Sequence, residues 1–125
     1  MNVPKELRYM KSHEWAKQEG GKVRVGISDH AQHEITDVVH VELPAVGKKV
    51  EQGQPCAVVE SVKSAFDIYA PVSGTVVEVN DALSSSPELV NQSPYEKGFF
   101  LVIEASNQAE WEKLLPAQDY EKLIG

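Results

Sequence analysis

The sequence predicts a mainly β fold, a flattened barrel whose two halves face each other. Short segments that alternate apolar and polar residues, the period of half-buried strands, recur along the chain between turn signals. A weak internal repeat relates residues 41–61 to 77–105, because each has a strand, a turn-rich link and a second strand. Helical spacing is clearest in the last stretch, residues 106–125.

The first elements are a hairpin and a helix. Residues 22–27 (KVRVGI) alternate as a strand, and residues 13–18 (HEWAKQ) precede the turn signal EGG, which makes them its hairpin partner. Residues 28–36 predict a short helix. We expect Asp29 to cap this helix, with Gln32 as the returning side chain of a capping box.

The next strand is predicted over residues 37–43 (DVVHVEL). Its alternation places Val39, Val41 and Leu43 on one face and His40 on the outer face.

The middle of the chain predicts further strands around one lysine. The predicted elements are a loop-rich stretch at 44–55, strands at 56–61, 64–70 and 75–79, and a tight turn at 71–74. Lys63 falls in the interruption between the first two of these strands, with no glycine beside it. The pattern therefore predicts a hairpin that presents Lys63.

The rest of the chain changes character. Residues 80–98 are turn-rich and residues 99–105 (FFLVIEA) predict a strand. The pattern of the tail predicts two helices. Ser106 or Asn107 is expected to cap the first, and Pro116 either separates the two helices or begins the second. Their apolar positions are Trp111, Leu114 and Leu115, then Tyr120, Leu123 and Ile124. We expect one domain over residues 1–125, with a core at about 22–104 and a helical tail at about 106–124.

Composition restricts the possible functions. The net charge of −7, from 19 acidic and 12 basic residues, argues against a nucleic-acid partner. No stretch approaches the roughly 18 apolar residues of a membrane span. The first residues lack the apolar segment of a signal peptide, so we expect a cytoplasmic protein without a membrane association. Cys56, the one cysteine, excludes an internal disulfide and is expected to be buried.

No catalytic set stands out. There is no G-x-S-x-G turn, no phosphate-binding glycine loop and no histidine near Cys56 in the sequence. His30 and His33 lie one helical turn apart, which is half a metal site at most, and a solvated helix face explains them better. We therefore expect a protein that is not an enzyme and holds no metal. A presented lysine becomes useful if another enzyme acylates it, because the amide lets its stem carry a cofactor.

Several motifs resemble one family over nearly the whole chain. ESVK followed by DIYAPVSG is the most specific, and SHEW and SPELVN strengthen it. With these motifs the chain resembles the H proteins of the glycine cleavage system, which are lipoyl carriers. The resemblance implies a barrel-sandwich hybrid of two antiparallel sheets, with a short helix after the first strands and C-terminal helices. It also implies that Lys63 carries lipoic acid as a covalent amide.

The resemblance further implies partners and a cleft for the arm. The partners are a pyridoxal-phosphate glycine decarboxylase, a tetrahydrofolate-dependent aminomethyltransferase, an FAD-containing dihydrolipoyl dehydrogenase and lipoyl-attaching enzymes. The aminomethyl group would travel on the arm between them. By position, the cleft that shelters the loaded arm corresponds to Ser12, Glu14, Ile27, Asp67 and the Glu34–Ile35 segment. Glu14 and Asp67 would hold a protonated amine, while Ile27 and Ile35 would cover the apolar chain.

Four positions depart from the family pattern. Thr36 stands where glycine is usual, His40 replaces a usual aromatic residue, Phe99 replaces a usual tryptophan, and Glu34 stands where some members have histidine. Three alternatives stay open from the residues: a biotinyl or 2-oxoacid dehydrogenase lipoyl domain, an H-like protein that serves only lipoate relay or regulation, and an unmodified structural domain. Biotinyl hairpins typically read MKM, whereas Lys63 lies between Val62 and Ser64.

Overall fold

The computed structural model describes all 125 residues and consists mainly of β-strands. The strands are β1 (Arg8–Tyr9), β2 (Glu14–Glu19), β3 (Lys22–Ile27), β4 (Val38–Glu42), β5 (Lys49–Val50), β6 (Pro55–Ser61), β7 (Ala65–Tyr69), β8 (Gly74–Val79), β9 (Leu101–Ala105) and β10 (Leu115–Pro116). The helices are α1 (Asp29–Ile35), α2 (Ala82–Ser85), α3 (Leu89–Gln92), a 3₁₀ helix (Gln108–Lys113) and α4 (Ala117–Ile124).

The strands form two antiparallel sheets. The larger has the order β10-β1-β2-β3-β9-β8-β5, and the smaller has the order β4-β6-β7. A cluster of 22 buried residues from both sheets forms the main core. As the internal repeat predicted, β4 and β6 pair in one sheet while β8 and β9 pair in the other. The predicted fold class, two antiparallel sheets with short helices, is confirmed.

Strand β4 departs from simple alternation. The register against β6 shifts between Val38 and His40, which marks a β-bulge. The bulge turns Val38 into the core, at 4% exposure, and leaves Val39 54% exposed. The prediction that Val39 shares a buried face with Val41 is therefore wrong, because an extra residue reverses the alternation on one side of the bulge. His40 lies on the outer face as predicted.

Helix α1 begins one residue earlier than its predicted cap. Ser28 has an extended backbone, and its hydroxyl accepts the N–H of Ala31 at 3.1 Å. Ser28 is thus the N-cap, and the prediction of Asp29 is wrong. Asp29 is the first helical residue, and its carboxylate accepts from the Gln32 side chain at 2.8 Å.

The turn-rich segment holds two short helices, α2 and α3, that the sequence pattern did not predict. The first tail helix is a 3₁₀ helix, and Asn107 caps it by accepting the N–H of Ala109. Pro116 does precede the second helix, but it also pairs with Arg8 at the edge of the larger sheet. Tyr120 is fully buried in a second cluster, while Leu123 is 49% exposed despite its helical spacing.

Candidate functional site

The hairpin between β6 and β7 presents Lys63 without using a glycine. The Ser61 hydroxyl accepts the backbone N–H of Lys63 at 3.1 Å and that of Ser64 at 3.3 Å. The backbone N–H of Ser61 also donates to the carbonyl of Ser64 at 2.9 Å. No residue of this turn has a positive φ. A serine side chain thus supplies the turn, which is the local reason that this segment bends at Lys63.

The tip of the hairpin is tied to the end of helix α1. The Val62 N–H donates to the carbonyl of Asp37 at 3.0 Å, and the Lys63 Nζ donates to the carbonyl of Glu34 at 3.1 Å. Carbonyls at a helix C-terminus carry partial negative charge and favour a cation. The Lys63 amine is exposed and makes one solvent-exposed hydrogen bond, so it remains available for chemistry.

A groove of about 620 Å³ begins beside this hairpin. Its walls come from α1, from β6 and β7 of the smaller sheet, and from the ends of β2 and β3 with the turn before β2. The lining residues are Ser12, His13, Glu14, Ile27, His30, Ala31, Glu34, Ile35, Val59, Ala65, Phe66, Asp67, Ile68 and Tyr69. Every residue that the sequence predicted for a cleft therefore lies on this one surface, and apolar walls with a few polar groups suit an aliphatic chain.

Glu14 forms a polar part of the groove wall and is only 1% exposed. The Ser12 hydroxyl donates to Oε1, and the Tyr69 N–H donates to Oε2 at 2.8 Å. Burial raises the pKa of Glu14, and these hydrogen bonds oppose that shift. Asp67, in contrast, is exposed on β7, opposite Val58 of β6. The two carboxyl groups therefore differ: one is buried and already bonded, and the other is solvated.

The structure brings together two histidines that the sequence did not pair. The rings of His13 and His30 have centroids 5.0 Å apart, and both residues line the groove. His33, which the spacing paired with His30, is exposed and lies outside the groove lining. Tyr69 and Phe66 were also missed as groove residues. The SHEW motif was the available signal for His13, but only the strand pairing of β2 with β3 places it near helix α1.

Other reactive or cavity-forming residues lie outside the groove lining. Burial raises the pKa of the Cys56 thiol to about 12, so it is an inert core residue, as predicted. A larger cavity of about 790 Å³ shares no residue with the groove, and its lining is mainly polar and charged. No helix is both long and apolar enough to cross a membrane.

An exposed lysine on a glycine-free β-turn, beside an amphipathic groove, is an arrangement that suits a carrier of a covalently attached cofactor. The family model for the glycine cleavage H-protein matches residues 7–125, so the chain belongs to that family. It is 59% identical over 124 residues to the glycine cleavage system H protein of Endomicrobium trichonymphae, covering 99% of this chain and 100% of that protein.

Two further relatives agree with this assignment. The glycine cleavage system H protein of Oceanobacillus iheyensis is 54% identical over 124 residues, covering 99% of this chain and 98% of that protein. The crystal structure of an H protein from Mycobacterium marinum superposes with a TM-score of 0.86 at 36% identity, covering 96% and 97% of the two chains.

The family assignment decides among the alternatives left open by the residues. The chain is the lipoyl carrier component of the glycine cleavage system and is not itself catalytic. Its cofactor is lipoic acid, and it interacts with the decarboxylase, aminomethyltransferase and dihydrolipoyl dehydrogenase components. The comparisons give no support to a role restricted to lipoate relay or regulation.

Proposed function

We propose that Lys63 is the lipoyl attachment site of this carrier and that the adjacent groove shelters the loaded arm. The observation that carries the proposal is the Ser61-supported turn, which holds an exposed primary amine at the mouth of the groove. Conversion of that amine to an amide removes its charge but keeps one N–H. This N–H can preserve the bond to the Glu34 carbonyl while the chain turns into the groove.

The residues of the groove suit both parts of such an arm. Ile27, Ile35 and Phe66 offer apolar surface to an aliphatic chain. Asp67 and Glu14 offer carboxyl oxygens to a protonated amine at its end. We assign the direct ionic contact to Asp67, because Glu14 is buried and already accepts from Ser12 and Tyr69.

The function of the arm is to move a one-carbon unit between enzymes. The lipoyl group, when bound, supplies a cyclic disulfide that takes up the aminomethyl group and is reduced in doing so. This chain presents the arm on a rigid hairpin, holds its end against the groove and raises its local concentration at each docked enzyme. We place this exchange in the cytoplasm, where thiols such as that of the lone cysteine, Cys56, stay reduced.

Intact mass spectrometry tests the attachment site. Wild-type protein produced with lipoate should gain one lipoyl mass, and Lys63→Arg should gain none while keeping the wild-type circular dichroism spectrum. Lys48→Arg, which changes another exposed lysine, should gain the lipoyl mass like wild type. A lipoyl mass on Lys63→Arg would place the cofactor elsewhere.

The lifetime of the aminomethyl-loaded protein tests the groove. Asp67→Asn keeps the shape of the side chain but removes its charge, so we expect faster loss of the aminomethyl group. Glu88→Gln changes an exposed acid outside the groove lining and serves as the matched control. Equal lifetimes for Asp67→Asn and the control would exclude an ionic contact from Asp67.

A further inference from the structure

A buried hydroxyl pair holds the imidazole of His13 at the groove. The Nδ1 atom lies 2.8 Å from the Tyr120 hydroxyl, and that hydroxyl lies 2.6 Å from the Ser28 hydroxyl. Ser28 and Tyr120 are both fully buried. The backbone of His13 has a φ of 81°, a left-handed conformation that residues other than glycine adopt rarely. Such outliers concentrate at functional sites, where the surrounding structure maintains them.

Counting protons assigns a tautomer to His13. The Ser28 hydroxyl already accepts the N–H of Ala31, so its own proton has the Tyr120 oxygen as partner. The Tyr120 proton then goes to Nδ1 of His13. The opposite direction would leave the buried Ser28 proton without an acceptor, which is unfavourable. The neutral imidazole therefore carries its proton on Nε2.

The Nε2–H of His13 is without a partner in the protein, and the groove that His13 lines holds three acids and one other histidine, His30. Nδ1 makes the hydrogen bond of this side chain, and Nε2 has no partner within the protein. Burial, and secondly the neighbouring His30, lowers the pKa of His13 and favours the neutral ring, while Glu34 acts in the opposite direction. The acidic neighbours in the groove, Glu14, Glu34 and Asp67, offer acceptors only, and His30 lies with its Nε2 atom 3.7 Å from the Glu34 carboxylate.

The loaded arm has a specific weakness that such a donor opposes. In an aminomethyl thioether, the nitrogen lone pair forms a C=N bond and the C–S bond breaks, with its electron pair leaving on sulfur as thiolate. Water then converts the iminium CH₂=NH₂⁺ to formaldehyde and NH₄⁺. A protonated amine has no lone pair and is safe, so the vulnerable species is the neutral amine. A hydrogen bond donated to that nitrogen occupies the lone pair.

We propose that His13 protects the aminomethyl group by donating its Nε2–H to the amine nitrogen, with Tyr120 as the positioning residue that sets the tautomer. This inference rests on the proposed function of Lys63 and the groove. It gives the C-terminal helix α4 a part in protecting the cargo, because Tyr120 contacts His13 from that helix.

The tautomer is tested on the protein without lipoate. The ¹⁵N chemical shifts of His13 in wild type should show a protonated Nε2 and an unprotonated Nδ1. Tyr120→Phe keeps the ring that stacks on Tyr9 at 4.5 Å but removes the hydroxyl, so it should give a mixture of tautomers. A wild-type protein with its proton on Nδ1 would overturn the proposal, as would an unchanged tautomer in Tyr120→Phe.

The protective contact is tested on lipoylated, aminomethyl-loaded protein whose mass confirms the arm. His13→Phe should release formaldehyde about fivefold faster than wild type, the scale of one lost hydrogen bond. Tyr120→Phe should also release formaldehyde faster than wild type, but by a smaller factor. If His13→Phe does not fold, the rate of Tyr120→Phe is the test of the proposal. His33→Phe, outside the groove, should match wild type. Lipoylated His13→Phe and Tyr120→Phe proteins with wild-type rates would refute the role of His13 while leaving Lys63 as the attachment site.

Discussion

Thr36→Gly should stabilise the protein, because Thr36 occupies a backbone conformation that suits glycine. At the C-cap of α1, Thr36 has φ 66° and ψ −152°. A β-branched residue is strained there, at a cost of about 1–3 kcal/mol. The strained conformation persists because Asn91 fixes the backbone at and after Thr36. The Asn91 Nδ2 donates to the Thr36 carbonyl at 2.8 Å, and its Oδ1 accepts the Val38 N–H at 2.9 Å.

The size of the gain follows from two opposing effects. Glycine relieves the strain but loses about 0.5–1 kcal/mol to the greater freedom of the unfolded chain. We expect a net gain of about 1 kcal/mol. At about 2.1 cal/mol/K per residue, the unfolding entropy of a chain of this length converts that gain to a rise in Tm of about 4 °C.

The assay is thermal and denaturant unfolding of wild type, Thr36→Gly and Thr36→Ala. Alanine keeps a Cβ and therefore most of the strain, so it separates backbone relief from loss of the hydroxyl, which donates to the Ile35 carbonyl. We expect Thr36→Ala to stay within about 0.5 kcal/mol of wild type, as surface substitutions usually do. If Thr36→Gly is no more stable than Thr36→Ala, the strain argument is wrong.

The remaining predictions concern the groove wall, the sheet and the hairpin. Relative to wild type, Glu14→Gln should become more stable as pH rises. The pKa of Glu14 is higher in the folded than in the unfolded protein, so wild type loses stability as pH rises above the unfolded pKa, near 4.3, whereas glutamine does not ionise. Urea unfolding at pH 4 and pH 7 checks this, and a difference between the two proteins that does not change with pH would contradict it. Gly26→Ala should cost about 1–3 kcal/mol, because its Cβ would lie 2.6 Å from the Trp15 ring. Gly21→Ala, with open space around the new methyl, is the control, and equal unfolding midpoints would count against the clash. Ser61→Ala should lower the lipoylation rate more than the Tm, because it loosens the turn at Lys63; a wild-type rate by mass spectrometry would show that the turn needs no hydroxyl. We also predict one cooperative unfolding transition for residues 1–125, and separate calorimetric transitions for tail and core would disprove a single domain.

Some groove residues were predictable and others were not, for a physical reason. Positions such as Ser12, Glu14 and Asp67 lie within specific motifs, so a resemblance carried over residue by residue could name them. His13 and His30 come from a turn and a helix 17 positions apart in the sequence, and no local pattern relates them. Their approach depends on how α1 packs across the end of β2 and β3.

The elements of the fold likewise fall into those that the sequence predicted and those that depend on tertiary contacts. Alternation and turn residues were sufficient for the main strands and the lysine hairpin, because these follow from near neighbours in the chain, whereas the class of two antiparallel sheets came from the family resemblance. Local pattern failed at the bulge of β4, at the Ser28 cap and in the short helices of residues 80–98. There the outcome depends on long-range contacts, such as the bond from Val38 to Asn91 and that from Ser28 to Tyr120. Which distant segments lie next to each other is decided by tertiary packing. The same packing forms the groove, because its lining comes from two sheets and a helix.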